Sequence, residues 1–215
     1  MKKLLAIEKM LLLSIAFTIL LLAIRIYYTQ KITFVFFIWN IFLAIVPLVF
    51  SRQLKFEKNM SFKVIIFLSI WLLFFPNAPY IITDLFHFIE RPPVPKWYDL
   101  ILIISAAWNG LLLGIVSLMQ VEAFLKNHFQ KKWANIFIAI SIVLSGYGVF
   151  IGRFIRLNSW DIVTNPTNVI FTSFQYFFKP WQHMHAWAFI LLFAMLFSLV
   201  YYTLKQFVSA IKLND

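Results

Sequence analysis

Apolar residues in this chain come in long unbroken runs separated by short polar clusters. Five runs approach the roughly 20 residues that a helix needs to cross a bilayer: Met10 to Tyr28, Ile32 to Phe50, Leu100 to Val121, Trp133 to Gly152 and Trp187 to Val208. A sixth, Phe62 to Phe75, would reach only about 21 Å as helix, short of a hydrocarbon core near 30 Å. It is followed by Pro76-Asn77-Ala78-Pro79-Tyr80 and then Ile81 to Glu90. Proline removes a donor and kinks a helix, so the pattern predicts a third helix broken at Pro76 and Pro79 that resumes as a more polar half over 80–90. Asn165-Pro166-Thr167-Asn168 is turn chemistry, and Val169 to Phe178 is apolar but too short to cross, an interfacial or re-entrant segment. The expected fold class is all-α: a polytopic integral membrane protein of about six transmembrane helices, forming one helical membrane domain over 1–215.

Composition agrees with that reading. Hydrophobic residues make up 62% and charged residues 13%, against about 45–50% and about 25% in soluble domains. The net charge of +11 is carried by Lys and Arg scattered between apolar blocks, which argues for anionic lipid headgroups as partners and against nucleic acid. With no Cys, disulfides and thiolate metal sites are excluded. The run behind Met1-Lys2-Lys3 is too long for the core of a signal peptide, and no small-x-small cleavage site precedes Arg25, so it is expected to stay as the first span.

With six spans, twelve basic residues lie on the side of the chain ends: Lys2, Lys3, Lys9, Arg52, Lys55, Lys58, Lys63, Lys126, Lys131, Lys132, Lys205 and Lys212. Seven lie opposite: Arg25, Lys31, Arg91, Lys96, Arg153, Arg156 and Lys179. The positive-inside rule then puts both termini in the cytoplasm. Small residues four apart, Gly110 and Gly114, Ser141 and Ser145, Gly148 and Gly152, permit close helix approach. Asn40 and Asn109 lie inside spans, where helix-to-helix hydrogen bonding is their ordinary role.

Two segments on the non-cytoplasmic side collect the polar chemistry: Pro76 to Asp99, and Gly152 to His185. On a helix Asp84 and His87 share a face, with Arg91 one turn on; such a pair can act as base and orienter or as two metal ligands, and its plainer role is a cap or an interfacial ion pair. Arg153 and Arg156, followed by Asn158, Trp160 and Asp161, suit an anionic headgroup or a lipid-linked phosphate; Arg at a span end also snorkels, and Trp anchors at interfaces. In an extended segment His183 and His185 can face one way and bind a divalent metal with a third ligand from Asp84, His87 or Asp161; in a helix they diverge.

The stretches PNAPYIITDLFHF (Pro76 to Phe88) and RFIRLNSWD (Arg153 to Asp161) resemble the signature segments of a family of bacterial membrane proteins known as domain of unknown function thirteen sixty-one. The likeness covers about the last three quarters of the chain. It implies a bacterial cytoplasmic-membrane setting and carries no assigned reaction, cofactor or catalytic residue.

The residues support two leading readings. In one, the chain is a hydrolase or transferase for a lipid or lipid-linked envelope substrate, with Asp84, His87 and Asp161 as catalytic candidates. Arg153, Arg156, Asn158 and Trp160 would hold the substrate, and His183 and His185 a metal. In the other, it is a non-catalytic partner, assembly factor or sensor. A transporter ranks third, because no ionisable residue falls near the middle of a proposed span.

Overall fold

A computed structural model describes residues 2–157 and 161–212. Six helical stretches are long and apolar enough to cross a membrane: Lys9–Thr29, Phe36–Phe56, Phe62–His87, Lys96–His128, Lys131–Ile155 and Met184–Phe207. They belong to helices α1 (Lys2–Thr29), α2 (Phe36–Gln53), α3 (Phe62–Phe74) with its continuation, α5 (Lys96–His128), α6 (Lys131–Phe150) and α9 (Met184–Lys212). The outer faces of α1 and α9 expose Leu12, Leu13, Leu20, Leu191, Leu192 and Leu199. Only a hydrocarbon surrounding accommodates that much exposed apolar surface without aggregation.

The third span breaks where the prolines stand. α3, capped by the Ser61 hydroxyl at Val64 N, ends at Phe74; α4 (Asn77–Tyr80) follows, and a 3₁₀ segment carries the chain from Ile81 to His87. Around the break Ala78 N–H donates to Phe75 O instead of Phe74 O. The Asn77 side-chain amide then donates to Phe74 O at 2.9 Å. A polar side chain so replaces the lost backbone partner, the condition for irregular backbone at membrane depth.

Small residues on the neighbouring helices receive this segment. A Cβ on Gly110 of α5 would lie 2.4 Å from Ala78 O, and one on Gly148 of α6 would lie 2.6 Å from Pro76 Cγ. The glycine spacing that predicts close approach therefore serves the broken helix in particular.

α5 runs through the middle of the bundle and touches α1, α2, α4, the 3₁₀ segment and α6. One core cluster centres on Trp71, Phe75, Leu118, Ile138, Phe197 and Tyr201, and a second on Phe37, Ala78, Ile81, Leu102 and Leu113. Polar pairs tie both ends. At the end bearing the α1–α2 connection, Arg25 grips Asp99 through Nε at 2.7 Å and Nη2 at 3.0 Å, both residues buried. At the opposite end Glu122 accepts from Lys126 (2.8 Å), Lys205 (2.5 Å) and the Tyr201 hydroxyl (2.6 Å), locking α5 to α9.

α6 does not end at Phe150. It loosens into a π-helical turn over Ile151–Ile155 and stops at Arg156, which adopts the left-handed conformation at φ 66°. α7 (Asp161–Thr164) and α8 (Pro166–Phe178) follow, then a 3₁₀ turn, Pro180–Gln182, that leads into α9. α8 is shorter than a span. It is held against the outer ends of α6 and α9, where Tyr147 Oη donates to Ser173 O at 2.7 Å and Trp187 Nε1 to Tyr176 O at 2.9 Å.

Candidate functional site

The 3₁₀ geometry decides how the first polar segment presents its side chains. With three residues per turn, positions i and i+3 eclipse, so His87 stacks beyond Asp84, and Ile81, Thr83 and Asp84 are the buried residues of the segment. Asp84 is 1% exposed. The π-helical extension of α6 brings Arg153 across to meet it, and its guanidinium bonds Asp84 Oδ1 through Nη2. Nε of the same group donates to Thr83 Oγ1 at 2.8 Å, and the guanidinium plane lies 4.6 Å from the centre of the Tyr80 ring. From α2, Asn40 Nδ2 donates to the second oxygen, Asp84 Oδ2, at 2.9 Å. Three spans are thus pinned at one carboxylate.

These bonds bear on what Asp84 can do. A carboxylate accepting a charge-assisted bond on one oxygen and an amide on the other is a strong anchor between helices, with half of its lone-pair sites taken. His87 differs. Its side chain is 41% exposed, and its Nδ1 lies 3.8 Å from Asp84 Oδ1, a separation too long for a direct bond. That nitrogen is buried and has no hydrogen-bond partner among the described residues. Arg91 holds the backbone here by donating from Nη1 to His87 O at 2.7 Å.

Tyr80, Phe86, His87, Gly152, Arg153 and Arg156 line a cavity of about 390 Å³ at this rim. Two guanidiniums and one imidazole line it and, among the described residues, no carboxylate does; Asp84 behind Arg153 offsets one of the two charges, and the remaining excess favours an anion. A non-glycine residue in the left-handed region costs about 1 kcal/mol or more, and π-turns recur at functional sites. Both features coincide where Arg153 and Arg156 are aimed. A second cavity of about 480 Å³ lies behind the helix break, between α2, α3, α6 and α8. Tyr80 and Gly152 belong to both linings, so the two spaces adjoin.

Of the residues singled out in the sequence, Asp84, His87, Arg153 and Arg156 come together. Asp161 begins α7, its Oδ1 within 3.4 Å of the Thr164 hydroxyl, and lines neither cavity. His183 packs its ring on Tyr176, centroids 4.1 Å apart, while His185 is exposed in the first turn of α9. His183 thus stands before α9 and only His185 lies within it. Among the described residues no three His, Asp or Glu side chains gather as a metal-ligand set. Asn158 and Trp160 fall outside the described residues. Asn40 does form a helix-to-helix bond, and its partner makes it part of the site; Thr83 and Tyr80 join it with no signal in the sequence beyond their nearness to Asp84.

No curated protein and no solved structure matches the chain. The family described as "Protein of unknown function (DUF1361)" matches residues 39–200, a stretch that holds the whole Asp84–Arg153 assembly, and the chain belongs to that family.

Proposed function

We propose that the chain is a hydrolase or transferase that acts on a phosphate-bearing lipid or lipid-linked envelope substrate at the non-cytoplasmic face of a bacterial cytoplasmic membrane, with both termini in the cytoplasm. The observation that carries this is the cationic cavity at the rim, where Arg153 and Arg156 converge with an accessible imidazole. Arg153 is held by Thr83, Asp84 and Tyr80, so its remaining edge is presented in a fixed orientation, the preorganisation that transition-state charge requires. Arg156 supplies the second arm of the clamp. His87 is the acid–base group: it takes a proton from water or an acceptor hydroxyl as the new P–O bond forms, and returns it to the leaving oxygen as the old P–O bond breaks. Asp84 is a positioning residue: it orients Arg153 directly and lies 3.8 Å from His87 Nδ1.

A second reading, a non-catalytic binding partner or sensor, is favoured by the use of both Asp84 oxygens in bonds between helices. Reconstituted protein offered phosphatidic acid and a polyprenyl diphosphate in vesicles separates the two. On the enzyme reading phosphate is released from one of them, His87→Gln abolishes release while lipid still binds, and Arg153→Gln weakens both. Retained binding with no release by the wild type sinks the enzyme and leaves the partner.

A further inference from the structure

We infer that the cavity behind the helix break is the tail compartment of the same site, and that it takes one hydrocarbon chain of an amphiphile whose phosphate lies between Arg153 and Arg156. The inference rests on the headgroup reading of the outer cavity and adds the class of substrate.

Three observations carry it. First, the two spaces adjoin, and Tyr80 and Gly152, which belong to both linings, are what lies between them, a side chain and a backbone stretch without one. Second, the inner cavity is walled chiefly by Leu43, Leu72, Leu73, Leu144 and Ile151. Three of its polar lining residues already direct donors elsewhere: Asn40 to Asp84, Asn77 to Phe74 O and Tyr147 to Ser173 O. An apolar guest therefore leaves none of these groups unpaired. Third, the volume, about 480 Å³, is of the order of a long hydrocarbon chain.

Charge complementarity fixes the other end of the guest. The rim cavity offers two guanidiniums and no acid, so it suits a phosphomonoester better than a zwitterionic head. In a bilayer a tail gains little by leaving lipid for an apolar pocket, so affinity comes from the head and the pocket acts by shape.

The test follows the location of the tail. The full chain in phosphatidylcholine nanodiscs is photolabelled with hexadecyl phosphate carrying a terminal diazirine, and labelled peptides are mapped. The expected label falls on the α3, α6 and α8 walls around Ser69, Leu144 and Val169. Hexadecyl phosphate should compete it away, with hexadecyl phosphocholine ineffective. Ser69→Phe, which fills the cavity from α3, should cut this label at least tenfold; Ser173→Phe repeats the test from α8 should the first variant fail to fold. Arg153→Gln should abolish it. Label spread over the lipid-facing sides of α1 and α9, or unchanged by both cavity-filling variants, overturns the tail compartment. If hexadecyl phosphate still binds the wild type more tightly than Arg153→Gln by native mass spectrometry, the headgroup reading survives that result; if it does not, both fall.

Discussion

Replacing Asp84 by Ala removes the acceptor that joins three spans. Its side chain is 2% exposed and that of its Arg153 partner 11%, so solvent does little to compensate the guanidinium left behind. Breaking one partner of a buried pair costs about 3–5 kcal/mol. Arg153 keeps its bond to Thr83 at 2.8 Å and its place over Tyr80, which puts the expected loss at the lower end, about 3 kcal/mol. For a chain of this size that corresponds to roughly 6–12 °C, at about 2–4 °C per kcal/mol. The eight Trp residues allow thermal unfolding to be followed by intrinsic fluorescence in detergent. The double variant Asp84→Leu, Arg153→Met is the informative partner: it leaves no stranded charge, and apolar replacement of a buried pair is often neutral. It should therefore unfold well above Asp84→Ala. A shift below about 2 °C for the single variant, or a double variant as unstable as the single, would refute the pinning role assigned to this carboxylate.

The same unfolding measurement checks four further expectations. Gly110→Ala places a Cβ 2.4 Å from the Ala78 carbonyl oxygen and should cost about 1–3 kcal/mol by overpacking, whereas Gly152→Ala, with its nearest contact at 3.2 Å on the Tyr80 ring, should cost less. Asp99→Ala strands Arg25, 2% exposed, and should cost about 3–5 kcal/mol; Lys63→Ala, at a pair whose lysine is 62% exposed, should cost under about 1 kcal/mol. Asn77→Ala deprives Phe74 O of its side-chain donor and should destabilise by about 1–3 kcal/mol. His87→Gln should leave stability within about 1 kcal/mol of wild type, since its Nδ1 has no hydrogen-bond partner among the described residues; a larger drop would make His87 a structural residue.

The membrane architecture was legible because hydrocarbon leaves so few options. Backbone groups must be satisfied within each segment, so spans have to be contiguous apolar runs of a set length, and the short run before Pro76 announced its own break. The glycine pairs were legible as contacts for the same reason. The site was legible only in part. Asp84, His87, Arg153 and Arg156 stood out as charged groups at span ends, where charge is conspicuous. What joins them was hidden: Asn40 lies 44 residues from Asp84 in sequence, and one amide in an apolar span says nothing of its partner. Arg25 and Asp99 carried no sign of pairing, because the 74-residue separation is closed only by the packing of α1 on α5. The local geometry also escaped. A 3₁₀ turn and a π turn differ from an α-helix by one residue of hydrogen-bond register, below what side-chain periodicity can resolve over five to seven residues. Yet they aim Asp84 and Arg153 at each other.

Accessibility of the rim cavity tests the account most directly. The chain contains no Cys, and Phe86, 65% exposed, lines that cavity beside His87 and Arg153. Phe86→Cys in intact cells should react with a membrane-impermeant maleimide, and in nanodiscs hexadecyl phosphate should slow the reaction while hexadecyl phosphocholine does not. Labelling only after the membrane is permeabilised, or at a rate indifferent to the phosphate, would contradict an anion site on the non-cytoplasmic face.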